Sequence, residues 1–152
     1  MNRPLLRAEA IIVHRHDQSI LVQCAADEAF YRFPGGTVEF GETAAEAIRR
    51  ELIEEFDLQA EIGAIACVNE SIVEYDGKQR HDCTILHWGA VNEERIQDAI
   101  AHSEAEGIQL TWRTMEQLRG KPVYPEGILA YLEERKVVAS HLVVRKNYDN
   151  EA

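Results

Sequence analysis

Glu51, Glu54 and Glu55 are the side chains of this sequence whose spacing could do chemistry. On a helix, positions i, i+3 and i+4 share one face, and like charges there oppose each other by roughly 0.2–0.5 kcal/mol per pair. Arg50 can reach Glu54 at i+4, but one guanidinium does not neutralise three carboxylates. A divalent cation does, and a set of oxygen ligands without cysteine or histidine suits Mg²⁺ or Mn²⁺ rather than zinc. Glutamates on a helix are more often a solvated face, so the three acids do not decide the matter by themselves. The stretch before them adds weight. Phe33-Pro34-Gly35-Gly36 ends an apolar run in two glycines, which let backbone N–H and C=O groups come close to an ion or a phosphate.

The element that must position these acids is one helix. Thr43 followed three residues later by Glu46 is a capping-box pattern, so the helix is expected to start at Ala44. Ala45, Ile48, Leu52 and Phe56 recur at helical spacing and are expected to be its buried stripe.

Gly36, five residues, Glu42, seven residues, then Arg50-Glu51-Leu52-Ile53-Glu54-Glu55-Phe56-Asp57-Leu58 resembles the Nudix box. One position departs from the pattern, because the family usually has glycine where Asp57 stands. That position would cap the helix C-terminus, and aspartate tolerates the left-handed conformation better than most residues. The resemblance implies an α/β fold, an α/β/α sandwich with a mixed sheet. It implies one domain over residues 1–152, with 137–152 as a C-terminal extension. It also implies divalent-metal-dependent hydrolysis of a nucleoside diphosphate linked to another moiety, with Mg²⁺ or Mn²⁺ held by Glu51, Glu54, Glu55 and the carbonyl of Gly35. Arg50 and Glu42 would orient those carboxylates. Family members often draw one more glutamate from a later loop, which makes Glu104 and Glu106 catalytic candidates; the base is left open among these five glutamates. Tyr75, 17 positions after Leu58, stands where relatives acting on diadenosine polyphosphates commonly have a tyrosine. The proline that often marks relatives acting on ADP-ribose is absent from Ser71-Ile72-Val73. Tyr75, Arg32 and Asp82 are the expected substrate contacts.

At 152 residues, with 45% hydrophobic and 28% charged residues, the composition is that of a single globular domain. The net charge of −11 argues against a nucleic-acid polymer as partner, since such binding rests on Lys and Arg neutralising phosphates. A small phosphorylated substrate is compatible, because a bound metal inverts the local field. No run of residues reads as a signal peptide or a membrane span. Cys24, Cys67 and Cys83 are odd in number and lack ligand spacing, as reduced thiols of a cytoplasmic protein would.

Residues 8–14 and 20–24 read as strands joined by a turn at His16-Asp17-Gln18, with His14 and His16 in solvent. Tyr31 is expected to pack. Residues 61–75 and 79–91 read as a hairpin turning at Asp76-Gly77. His81-Asp82 reads first as structural. Residues 93–102 look helical, and 108–112 read as a strand with Trp112 packed. Thr114 to Gln117 opens a short helix ending at Gly120, and a last helix is expected from about Glu126 to Lys136, with Ile128, Leu129 and Leu132 inward. Residues 137–145 could add a strand, at a sheet edge or in a homodimer contact, and 147–152 should fray.

The function expected is a pyrophosphohydrolase acting on a nucleoside triphosphate, a nucleotide sugar or a dinucleoside polyphosphate. The alternative is a Nudix-fold module that senses a nucleotide or sugar without cleaving it. An isomerase of prenyl diphosphates would need a cysteine–glutamate pair that the sequence does not display, and a decapping enzyme would need basic surface.

Overall fold

The computed structural model describes residues 2–134 and 138–150. The first half runs β1 (Leu5–Ile12), β2 (Ile20–Ala25), β3 (Tyr31–Arg32), β4 (Gly35–Thr37), α1 (Ala44–Phe56) and β5 (Ala60–Tyr75). The second half runs β6 (Lys78–Val91), a 3-10 turn (Glu93–Arg95), β7 (Ala99–Ala101), β8 (Ile108–Arg113), α2 (Met115–Arg119), β9 (Val123–Tyr124), α3 (Ile128–Glu133), β10 (Ser140–Asn147) and a final 3-10 turn (Tyr148–Asn150).

The expected α/β sandwich is present, built on two mixed sheets rather than one. The first has the order β10-β5-β6-β1-β4, the second β7-β8-β2-β3-β9. In the first, β1 runs parallel to β6 and β10 parallel to β5, while β4 and the β5–β6 hairpin are antiparallel. The turn between β1 and β2 lies where the sequence put it, but the strands part into different sheets and share a single bridge, Val13 to Ile20. Two cores follow from strand alternation. Ala8, Ala10 and Ile12 of β1 pack with Ile48, Leu52 and Phe56 of α1. Ile11 and the next strand's Val22 face the other way, toward Leu118 of α2 and Ile128 of α3.

Helix α1 starts at Ala44 behind a complete capping box between Thr43 and Glu46. Its buried residues are Ala47, Ile48, Leu52 and Phe56; Ala45, expected inward, is only half-buried because the stripe turns toward β1 and β4. Asp57 ends the helix at φ 50°, ψ 42°, the left-handed cap expected of it, and donates its N–H to Ile53 O. The β5–β6 turn has positive φ at both Asp76 and Gly77, as a two-residue hairpin turn demands. Tyr31 is buried, as expected.

Four expectations are corrected. Residues 93–102 are not helical: Asn92 caps only one 3-10 turn, and Ala99–Ala101 is claimed as an edge strand by β8. The last helix begins at Ile128 rather than Glu126, and its buried residues are Ile128 and Tyr131; Leu129 and Leu132 are half-buried but pack against the same core, as expected, and residues 135 and 136 lie outside the described residues. The added strand spans Ser140–Asn147 at the edge of the first sheet, while Val137 lies outside the described residues. The tail from Asn147 does not fray through 150, because the Asp149 carboxylate accepts hydrogen bonds from Asp76 N and Gly77 N; residues 151 and 152 lie outside the described residues.

Candidate active site

The two glycines have different tasks. A Cβ on Gly35 would lie 2.0 Å from Ala8 O, so only glycine lets β4 come this close to β1, and its φ of +154° adds to that preference. A Cβ on Gly36 would lie 2.6 Å from Glu51 Cδ, so the missing side chain is the space the Glu51 carboxylate occupies. Ala10 N bonds to Pro34 O and Val38 N to Leu6 O, which turns the backbone groups of 34, 36 and 38 toward β1. By strand alternation the carbonyls of Gly35 and Thr37 face away from it. That of Thr37 accepts from Arg50 Nη2 at 3.0 Å.

Arg50 is the hub of the acids. Its Nε and Nη2 hold both oxygens of Glu42, at 2.9 and 2.7 Å, a bidentate pair. Nη1 reaches Glu51 Oε1 at 2.9 Å and Glu54 Oε2 at 3.2 Å. The guanidinium beside Glu42 holds its carboxyl down to about 2. Glu55 lies on the other flank. Burial, then its hydrogen bond to Glu51, push its pKa up to about 8. The mutual repulsion foreseen from the sequence is therefore relieved here by one guanidinium and one proton. Among the described residues no three His, Cys, Asp or Glu side chains are already gathered into a closed cation cage. The donors nonetheless suit a hard divalent ion. They are all oxygen, and Glu51 and Glu55 line one pocket together with Gly35 and Gly36.

The loop after β7 docks on the end of α1, with Ser103 N donating to Glu55 O at 2.8 Å and Ser103 Oγ to Glu54 O at 2.6 Å. Glu104 and Glu106 themselves are exposed and border neither the pocket of Glu51 and Glu55 nor the larger cavity described below. His102, which sequence reasoning missed, comes nearer: its Nε2 is 3.5 Å from Glu55 Oε2. Its Nδ1 accepts the N–H groups of Glu104 and Ala105. The proton of the neutral ring is thereby assigned to Nε2, which points at Glu55. No local pattern could have revealed this long-range pairing.

Tyr75 and Asp82 of the β5–β6 hairpin and the distant Arg32 border one cavity of about 480 Å³ between the two sheets. Arg7 and Arg32 border both this cavity and the smaller pocket lined by Gly35, Gly36, Glu51 and Glu55, so the two spaces are contiguous. Arg32 packs over the Phe30 ring, 5.7 Å from its centroid. Glu9, 3.6 Å from Arg7 and buried, has its pKa raised to about 7 by desolvation. Arg7 and Glu9 were also missed, although polar residues alternating with Leu6, Ala8 and Ala10 were a visible signal. Asp82 accepts from Arg80 Nε at 2.7 Å. His14 is not the solvent-facing residue expected: it is mostly buried against Trp112, with ring centroids 5.0 Å apart, and its Nδ1 accepts from His16 N.

Comparison with known proteins gives one family model, described as NUDIX domain, matching residues 4–132. Compared with the curated proteins, the sequence matches none. Among solved structures, the fold is similar to a MutT protein from Bacillus halodurans, with TM-score 0.66, 17% identity, and coverage of 97% of this chain and 93% of that one. A UDP-X diphosphatase gives TM-score 0.62 and 19% identity, over 92% of this chain and 68% of that one. An ADP-ribose pyrophosphatase from Streptococcus suis gives 0.58 and 15%, over 93% and 99%.

Proposed function

Because this chain belongs to the Nudix family of hydrolases, which act on pyrophosphate bonds, we propose that it hydrolyses a nucleoside diphosphate linked to another moiety with the help of Mg²⁺ or Mn²⁺. The observation that carries this reading is the contiguity of the acid-lined pocket with the larger cavity through Arg7 and Arg32. Two guanidinium groups between a set of carboxylates and a partly aromatic cavity suit a polyanionic chain with a ring at one end. The substrate range is a nucleoside triphosphate, a nucleotide sugar or a dinucleoside polyphosphate. The names of the structural neighbours fall in the same chemistry.

Glu51, Glu54, Glu55 and the Gly35 carbonyl would hold the cation, which when bound neutralises charge on the anhydride oxygens and acidifies the attacking water. Arg50 fixes Glu51 and Glu54 from one side, and Glu42 fixes Arg50. His102 orients Glu55 from the other side and leaves it free to release its proton, which ligation requires. Arg7 and Arg32 hold the phosphates in line with the acids, and Tyr75 and Asp82 meet the rest of the substrate. Glu104 and Glu106 serve as base only if their loop brings them in. No described helix is long and apolar enough to cross a membrane. Three free thiols fit a cytoplasmic setting.

The test is product release from a nucleotide panel with Mg²⁺ or Mn²⁺. Glu54→Gln is expected to lose at least about a hundredfold in kcat, and a chelator to abolish turnover of the wild type. Undiminished activity in the variant, or in the chelator, would refute the assignment.

A further inference from the structure

Of the four strands that end the two sheets, three are blunt. β4 and β7 have three residues each and β9 has two, whereas β10 has eight. β10 runs beside β5 without a bulge, from Ser140 opposite Cys67 to Asn147 opposite Glu74. No described strand lies on its other side. A long, regular edge presents a row of backbone N–H and C=O groups to any strand that arrives, and folds commonly shorten, bend or charge such edges to prevent pairing. β10 also lies beyond the matched family domain, which ends at 132.

The side chains of β10 fit a contact surface. Alternation turns Leu142 toward the core and Val144 toward the cavity, and leaves His141, Val143 and Arg145 exposed on the opposite face. His141 Nε2 meets Glu70 Oε2 of β5 at 2.8 Å. Arg145 has no ion pair or hydrogen bond among the described residues. An exposed valine thus sits between a carboxylate-bearing histidine and a free guanidinium.

We propose that two copies of this chain pair β10 against β10, antiparallel, about a two-fold axis through Val143, joining two five-stranded sheets into one. A two-fold axis normal to the sheet keeps each face on its own side, so residues of like parity meet and the axis passes through a residue. An axis at Leu142 would set Val143 against His141, and an axis at Val144 would set it against Arg145. The axis at Val143 sets valine on valine, and on the other face it sets Leu142 against Val144. It also places Arg145 of each copy across from His141 of the other, beside the Glu70 carboxylate, so that this charge pairing forms twice. The acid pocket borders β4 at the far edge of the same sheet, so each copy keeps its own pocket open. The pairing does not depend on the hydrolase reading.

An edge of eight residues is small for an interface, so a dimer that dissociates in the micromolar range is expected. Sedimentation velocity of the full chain at about 100 μM should show that dimer, and dilution should return a monomer. Val143→Lys sets two ammonium groups at the axis and should leave a monomer with an unchanged circular dichroism spectrum. Arg145→Glu or Glu70→Arg alone should weaken association by about tenfold, and the two together should restore it. Cross-linking reads the register. Val143→Cys brings two thiols together with Cα atoms about 5.5 Å apart or less, so diamide should link the copies. Arg145→Cys should link only when mixed with His141→Cys. The wild type, whose Cys24 and Cys67 are buried and Cys83 half-buried, is the control. A wild type still monomeric at about 100 μM, or a dimer undiminished in Val143→Lys, overturns the pairing. Arg145→Cys linking by itself as readily as Val143→Cys overturns the register.

Discussion

Gly36 shows what one absent side chain does. A methyl group there would meet the flexible end of Glu51, so Gly36→Ala should leave the fold intact, push the carboxylate aside and lower kcat/KM by about a hundredfold; circular dichroism and kinetics together check this. Gly35→Ala meets backbone instead and should cost the fold about 3 kcal/mol or more. The buried acids give a pH prediction. Glu9 and Glu55 have folded pKa values of about 7 and about 8, raised by burial from 4.5. Between pH 4.5 and those values the folded chain keeps protons that the unfolded chain has released. Stability of the metal-free protein therefore falls as pH rises through this window, by at most about 1.4 kcal/mol per pH unit for each group. Glu42, held down to about 2 by Arg50, acts oppositely and loses its contribution as pH falls below 4.5. Melting curves in a chelator should peak near pH 5, and Glu9→Gln should flatten part of the decline. A melting temperature that climbs from pH 5 to 8 contradicts both burial effects.

At the scale of the element, α1 is specified at both ends by its own residues. Thr43 and Glu46 begin it, and Asp57 ends it in a left-handed conformation that glycine adopts without a Cβ clash. Asp57→Gly should stabilise the chain by up to about 1 kcal/mol in urea denaturation, with kcat unchanged, because the side chain of Asp57 contributes no donor to the acid pocket. Thr43→Ala should cost about 1 kcal/mol. Those ends were legible in the sequence because capping is a local interaction. The segment 93–102 was not, because Asn92 capped a single turn and the pairing that made Ala99–Ala101 a strand comes from Thr111, Leu110 and Gln109, ten or so residues away.

Across the whole molecule, the proposed active centre is an interface between two sheets. β1 carries Arg7 and Glu9 in the first sheet, and β3 carries Arg32 in the second. Burial disfavours the charge on Arg32, and nearby Glu9 restores some of that loss, which is compatible with the phosphate contact proposed for it. Arg32→Gln is expected to raise KM about tenfold or more on all nucleotides regardless of base, with a smaller fall in kcat. A base-dependent change, or none, would place the phosphates elsewhere. The edge position of β10 completes the first sheet and leaves Val143 exposed, at 61%. Light scattering will show whether a second copy pairs there as the dimer expected from the family would.

The box helix, its caps, its three acids and the Asp76-Gly77 hairpin were determined by sequence alone, because each depends on residues a few positions apart whose chemistry is fixed by spacing. The direction in which β1 and β2 part, the meeting of His102 with Glu55, and the joining of Arg7, Arg32, Asp82 and Val144 around one space were decided only by tertiary structure. The paired strands lie more than seventy residues apart (Leu5 opposite Asp82, Ser140 opposite Cys67), and register between such strands follows from how two cores pack, which no local pattern records.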